Sequence, residues 1–396
     1  MTDATPYSRR VSFNERLYLA AEALQPGFCV QIVVEGEGAV APAALEAAVA
    51  RAAEVNPGAR LVRRGMLGWM RWVPEGPVPP VRVVGEWPDG EKPPPEVERP
   101  LPPETGPTCE VVLSPGPRPR LVFRCFHGVM DARGLLYFAE EVFRALRSDA
   151  LQGAPCTLSD TEVVESSVGS RTRPALQSDC LSVIATVSRR ATPVIWKRVT
   201  LEGPLPSLVA RIAVAVAQHA ARFHSSVTRV MVPVDLRNYR RELLSTGNMT
   251  YPLFLDVPPG RSWRDLHKEI LKRLGAKEPM RLDPAEKILP WLPMWLVTRF
   301  YGSWIAGHRR RGRFPFTALV THVALHGVEP LEGGGFTART LYFLPLPSDF
   351  IPLGIAAVSG PDAAHLVVSA PRGLLNEGEL AELCEALQSG VASSAA

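Results

Sequence analysis

Between Leu121 and Leu146 the hydrophobic pattern changes from the period of a strand to that of a helix, and this change constrains the fold more than any other stretch. In Leu121-Val-Phe-Arg-Cys-Phe126 the residues alternate, so that Leu121, Phe123, Cys125 and His127 share one face. After Ala132-Arg-Gly134, the residues Leu135, Phe138, Val142, Phe143 and Leu146 recur at helical spacing. The junction is His127-Gly-Val-Met-Asp131. It sets a histidine at a strand end, on a turn beside a buried element, where a side chain is held rigidly yet reaches a substrate.

The same mixture of strand and helix runs through the chain. Phe28–Val34 is strand-like, Pro42–Val55 reads as a helix with proline in its first turn, and Arg60–Trp72 reads as a hairpin. A strand near Glu110–Leu113 leads into the His127 strand. From Leu158 to Arg190 the chain turns Ser/Thr-rich and weakly apolar, which marks a linker. The pattern then restarts. Strands are expected over Trp196–Leu201, Val227–Leu236, Gly247–Asp256, Phe316–Leu325, Thr337–Phe343 and Leu366–Ser369. Helices are expected over Pro206–Phe223, Ser262–Leu274, Ile288–Ile305 and Glu379–Leu387. Two halves of similar length and element order predict a mixed α/β protein of two lobes, residues 1–165 and 191–396, joined by a linker over 166–190.

Composition excludes several classes of function. With 44 Lys+Arg against 40 Asp+Glu the net charge is +4, and no basic stripe is interleaved with aromatics, so nucleic acid is not an expected partner. The most apolar stretch, Ile288–Thr298, is interrupted by Pro290 and Pro293 and is too short to span a bilayer. The first ten residues lack a signal peptide's apolar core. The 6 scattered cysteines form no C-x-x-C pair and are read as reduced thiols, neither a disulfide framework nor a zinc site. His322 and His326 lack a third ligand and are read as structural, so no metal is expected. A cytoplasmic protein is the expectation.

These residues together resemble the acyl-thioester-dependent acyltransferase superfamily with a His-x-x-x-Asp motif, which includes condensation domains, wax-ester synthases, polyketide-associated acyltransferases and chloramphenicol-acetyltransferase-like enzymes. His127 and Asp131 match that motif, Asn56-Pro-Gly-Ala-Arg60 is similar to a segment after the family's first long helix, and Val232-Pro-Val-Asp-Leu-Arg237 with Gly247-Asn248 resembles a further pattern. Ala318-Leu-Val-Thr-His322 stands where the family has a strand crossing between lobes. The resemblance implies two chloramphenicol-acetyltransferase-like lobes forming a V, with a central tunnel and His127 at its middle. Two positions depart from the pattern: Phe126 replaces the second histidine of condensation domains, and Ala132 replaces the glycine after the aspartate.

The resemblance also implies the chemistry. An alcohol or amine attacks the thioester of an acyl-coenzyme A or acyl-carrier protein, with no permanently bound cofactor and no covalent enzyme intermediate. Natural-product biosynthesis in a bacterium is the expected setting. An imidazole with a pKa near ~6.5 accepts the nucleophile's proton, so His127 is the expected general base. Asn248 and backbone N–H groups up to Gly134 are candidate oxyanion donors, with Gly134 also supplying the backbone freedom lost at Ala132. Asp131 is expected to be structural and to pair with Arg237. His308-Arg-Arg-Arg-Gly-Arg313 reads as a solvated loop whose Arg309, Arg310 and Arg311 would attract coenzyme A phosphates or an acidic carrier protein. Two alternatives keep the fold: a non-catalytic platform recruiting a carrier protein or partner enzyme, motivated by Phe126 and Ala132, and a cyclisation or elimination on a tethered intermediate.

Overall fold

A capping box starts the first helix: the Ser12 backbone N–H donates to the Glu15 carboxylate at 2.8 Å, and the Glu15 N–H donates to the Ser12 hydroxyl at 3.3 Å. The structure is a computed structural model that describes residues 7–90, 92–168, 171–173, 180–181, 193–348 and 350–393. In chain order the first half forms β1 (Arg9–Arg10), α1 (Phe13–Leu24), β2 (Cys29–Gly38), α2 (Pro42–Val55), β3 (Val62–Arg64), β4 (Arg71–Val73), β5 (Val81–Val83), β6 (Cys109–Ser114), β7 (Arg120–Phe126), α3 (Ala132–Leu146) and α4 (Asp160–Val168). The second half forms β8 (Cys180–Leu181), β9 (Val194–Glu202), α5 (Leu208–Ala220), β10 (Thr228–Asp235), β11 (Thr250–Val257), α6 (Trp263–Gly275), α7 (Met294–Arg311), β12 (Arg313–Phe314), β13 (Ala318–Ala324), β14 (Phe336–Phe343), β15 (Gly354–Ser359), β16 (Ala363–Pro371) and α8 (Glu377–Ser393).

Each half builds a sheet with helices on one face. The first sheet has the order β14-β2-β7-β6-β5, antiparallel except for the β5–β6 pair. Its core packs the apolar stripe of α3 (Leu135, Phe138, Val142, Phe143) and that of α2 (Leu45, Val49, Ala52) onto Ile32, Leu121, Phe123 and Cys125. Burying each large member of that stripe is worth about 1.5–3 kcal/mol, more than helix propensity supplies. The second sheet has the order β11-β10-β13-β15-β16-β9, with β10, β13 and β15 parallel. Helices α5 and α8 cover it through Ile212, Val216, Leu383 and Leu387.

The two halves are interleaved. Strand β14 comes from the second half of the chain, yet it pairs with β2 in the first sheet, with Leu341 opposite Val34. On the face of that sheet away from α3, Val33, Val122 and Tyr342 pack with Val367 of β16.

Two features differ from the sequence reading. Where the linker was to begin the chain is helical, as α4, and its Val163 and Val164 are buried with Leu236 and Tyr251. The greater part of the expected 166–190 linker lies outside the described residues. The stretch over 308–313 is not a loop, since α7 continues to Arg311 and ends on Gly312 with φ +62°. A left-handed glycine stops a helix at no steric cost, and a basic last turn suits the negative end of the helix dipole.

Candidate active site

His127 directly follows β7, and register places it beside the start of β2: Phe126 lies opposite Cys29, and the His127 N–H donates to the Phe28 carbonyl at 3.0 Å. Two aromatic rings lie nearly parallel to the imidazole. Tyr18 of α1 stacks on it with centroids 4.3 Å apart, and Phe28 stacks at 5.5 Å. The Nδ1 atom is enclosed and has no hydrogen-bond partner. Burial depresses the His127 pKa below the ordinary histidine value, opposed in part by the Asp131 charge. The ring is therefore neutral at pH 7 and able to accept a proton.

Asp131 turns the other way. It is the N-cap of α3, with φ −89° and ψ 178°, and its Oδ1 accepts from the Gly134 N–H at 2.7 Å. Its Oδ2 accepts from the Met249 N–H at 2.8 Å. Arg237 completes the set, with Nη1 and Nη2 donating to the two carboxylate oxygens at 3.1 and 3.3 Å. The same guanidinium donates to Asp235 at 3.0 Å and to the carbonyls of Ser245 and Gly247 at 3.0 and 2.7 Å. Burial works against the Arg237 charge, but Asp131 and Asp235 outweigh it and raise its pKa. Asp131 is thus a fully engaged staple between the start of α3 and the second-half loop over 245–249.

That loop explains two other expected residues. The Asn248 amide donates from Nδ2 to the His127 carbonyl at 2.8 Å, and its Oδ1 is enclosed without a partner. Asn248 thereby fixes the histidine's backbone. The Gly134 N–H is committed to Asp131, so it is not an oxyanion donor, and Gly134 is not a source of positive-φ freedom: among the described residues only other positions have it. Its requirement is steric, since a Cβ there would collide with the Thr246 carbonyl oxygen. Ala132 is the first residue of α3, a helical conformation that alanine accepts readily.

Phe126 is fully buried in the first-half core, with its ring 6.2 Å from that of Trp72. Arg309, Arg310 and Arg311 lie on the last turn of α7, an element that packs against α1 and β12, apart from the Asp131 staple. His322 is hydrogen-bonded to Ser359 at 2.8 Å, and no cluster of His, Cys, Asp and Glu among the described residues is arranged to hold a metal ion. No helix of the described residues is long and apolar enough to cross a membrane.

Sequence reasoning missed Tyr18 and the buried carboxylates near it. The signal for α1 was present in Ser12-Phe-Asn-Glu15. Asp160 of α4 is fully buried, accepts from the Asn14 amide at 2.8 Å, and is pushed up to about 7 by burial and by the Glu15 charge. The Tyr18 hydroxyl is raised above its ordinary pKa by burial and by Asp160.

No family model and no curated protein sequence matches the chain. Solved structures do. The starter condensation domain of rhizomide synthetase RzmA, in complex with C8-CoA and Leu-SNAC, superimposes with a TM-score of 0.68 at 15% identity, covering 98% of this chain and 95% of that one. A further crystal structure of that starter condensation domain gives 0.64 at 16% identity, covering 99% and 97%. The first condensation domain of the calcium-dependent antibiotic synthetase, in complex with a substrate analogue, gives 0.65 at 16% identity, covering 98% and 97%. With the similarity spanning nearly the whole chain in both directions, this protein has the condensation-domain fold.

Proposed function

We propose that this protein is an acyltransferase of the condensation type, moving an acyl group from a coenzyme A or carrier-protein thioester to a hydroxyl or amine, with His127 as general base. The observation that carries this reading is the division of labour within His127-Gly-Val-Met-Asp131. Asp131 is consumed by Gly134, Met249 and Arg237, while His127 is kept neutral and makes no ion pair. Because Nδ1 is enclosed, Nε2 is the nitrogen assigned to the proton. In the reaction Nε2 takes the proton of the acceptor as its oxygen or nitrogen attacks the thioester carbonyl carbon. The tetrahedral adduct collapses, the C–S bond breaks, and the departing thiolate receives that proton. Proximity of the two bound substrates supplies much of the remaining acceleration. The complexes of RzmA with C8-CoA and Leu-SNAC favour an acyl thioester as donor and an aminoacyl acceptor, hence amide formation in lipopeptide assembly.

A panel of acyl-coenzyme A and acyl-carrier thioesters, incubated with amines and alcohols and read by thiol release and product mass, tests the activity. His127→Ala is expected to lower turnover by about 10²–10⁴-fold with an unchanged melting curve. Wild-type rates in that variant would remove the general-base role. A second reading, the non-catalytic platform, is favoured by one observation: Tyr18 and Phe28 both lie against the His127 ring. Carrier-protein binding without acyl transfer from any thioester of the panel would select it.

A further inference from the structure

Beside α1 and α7 the surface exposes large apolar side chains. Met66 and Trp69, at the tip of the β3–β4 hairpin, are 77% and 76% exposed. Ile288, Trp291 and Trp295, at and before the start of α7, are 65%, 60% and 68% exposed. They form one patch. The Trp291 ring lies against Gly68, where a Cβ would stand 2.7 Å from it. Trp295 and Leu24 line an open groove of about 530 Å³ that follows α7 past Gly302 and Ala306 and includes Arg299 and Arg310. Contiguous exposed apolar surface of this kind marks an interaction site.

The charge around the patch is in positive excess, with Glu75 and Glu104 at its edge. Residues 60–73 hold Arg60, Arg63, Arg64 and Arg71 and no carboxylate. Residues 284–311 hold Lys287, Arg299, Arg309, Arg310 and Arg311 against Glu286 alone. Glu286 is buried, accepting from Tyr251 at 2.8 Å and Thr161 at 3.0 Å. Arg63 and Arg64 are paired with Glu104 and Glu75, whereas Arg299 and Arg310 are exposed on the groove itself. Indole rings with one apolar and one polar edge prefer the boundary between hydrocarbon and water, and guanidinium groups pair with phosphate oxygens. The two tips, a 3₁₀ turn over Leu67–Trp69 and the start of a helix, share a chemistry but no backbone conformation. That suits a fluid surface, which demands no shape or register from its partner.

We propose that this face seats the protein on an anionic phospholipid surface, with Trp69, Trp291 and Trp295 entering the headgroup layer while Arg299 and Arg310 meet lipid phosphates. The proposal is independent of the acyl-transfer reading, and its test reads no catalytic activity. The full chain is floated with vesicles of phosphatidylcholine and phosphatidylglycerol, and with vesicles of phosphatidylcholine alone. It is expected to float with the first, less so as salt rises, and its tryptophan emission is expected to be quenched by brominated lipid. The combined variant Trp69→Ser, Trp291→Ser and Trp295→Ser is expected to melt as the wild type does and to stay unbound. Arg310→Gln is expected to lower partitioning about fivefold, the effect of roughly one surface cation, and keeps the test decisive if the triple variant misfolds. Absence of flotation with anionic vesicles overturns the proposal. Retention on polyglutamate beads with no quenching by brominated lipid also overturns it, in favour of an acidic protein partner.

Discussion

Two places where distant segments of the chain meet carry buried charge, and they are built in opposite ways. At Asp131 the carboxylate is met by a guanidinium and two backbone N–H groups, and Arg237 returns the contact through Asp235 and two carbonyls. At Asp160, α1 and α4 bring a carboxylate close to Glu15 and Glu286, with the Asn14 amide as a neutral donor. Arg9 is paired with Glu15, so its charge is already engaged. Compensated charge makes a rigid staple, whereas under-compensated charge makes a site that takes up a proton near neutrality. The first surrounds the loop that holds the His127 backbone, and the second borders Tyr18, which covers the His127 ring.

The contrast can be broken by removing a partner on either side. Arg237→Ala leaves Asp131 and Asp235 buried without their cation and is expected to cost about 3–5 kcal/mol, read by chemical denaturation. A loss below about 1 kcal/mol would show that the staple is not what holds the seam. Gly134→Ala forces a methyl group against the Thr246 carbonyl and is expected to cost about 1–3 kcal/mol, unless the 245–249 loop moves freely.

Asp160 is expected to behave in the reverse sense. Its folded value near 7 lies above the unfolded carboxylate value of about 3.9, so the protonated form is favoured by folding. This stabilisation is complete below about pH 4 and is lost as pH rises through about 7. Asp160→Asn should therefore raise the melting temperature at pH 8 and leave it unchanged at pH 4, and equal melting at pH 8 would show the charge to be well compensated. The smallest expected effect is on His127. The acidic limb of kcat/KM should fall below about pH 6.5, and Tyr18→Leu should move it upward by admitting water to the ring. A limb that does not move would assign the depressed value to the rest of the pocket.

Much of the architecture was legible because it depends on local pattern. The switch of period across His127, the proline-led α2, the hairpin at 60–72 and the strands β9, β10, β11, β13, β14 and β16 follow from spacing and turn residues. The 158–190 stretch misled at its start, because α4 has few apolar residues and its helix is held by two buried valines that meet partners far along the chain. Strand β14 was readable as a strand, but its membership in the first sheet was not, since pairing Leu341 with Val34 depends on tertiary register. At the site, the residue types came from the motif, whereas the part played by Gly134 came from a neighbouring carbonyl that no local pattern reveals.

By itself, then, the sequence determined most of the strand and helix segments and put a histidine and an aspartate on one turn, because hydrophobic period and capping act over a few residues. Only the tertiary structure decided that the two side chains part company. Asp131 is claimed by Arg237 across 106 residues, and the His127 ring is covered by Tyr18 from α1. The pKa of a buried group is set by what packs against it, and for these two residues those neighbours are supplied by remote parts of the chain.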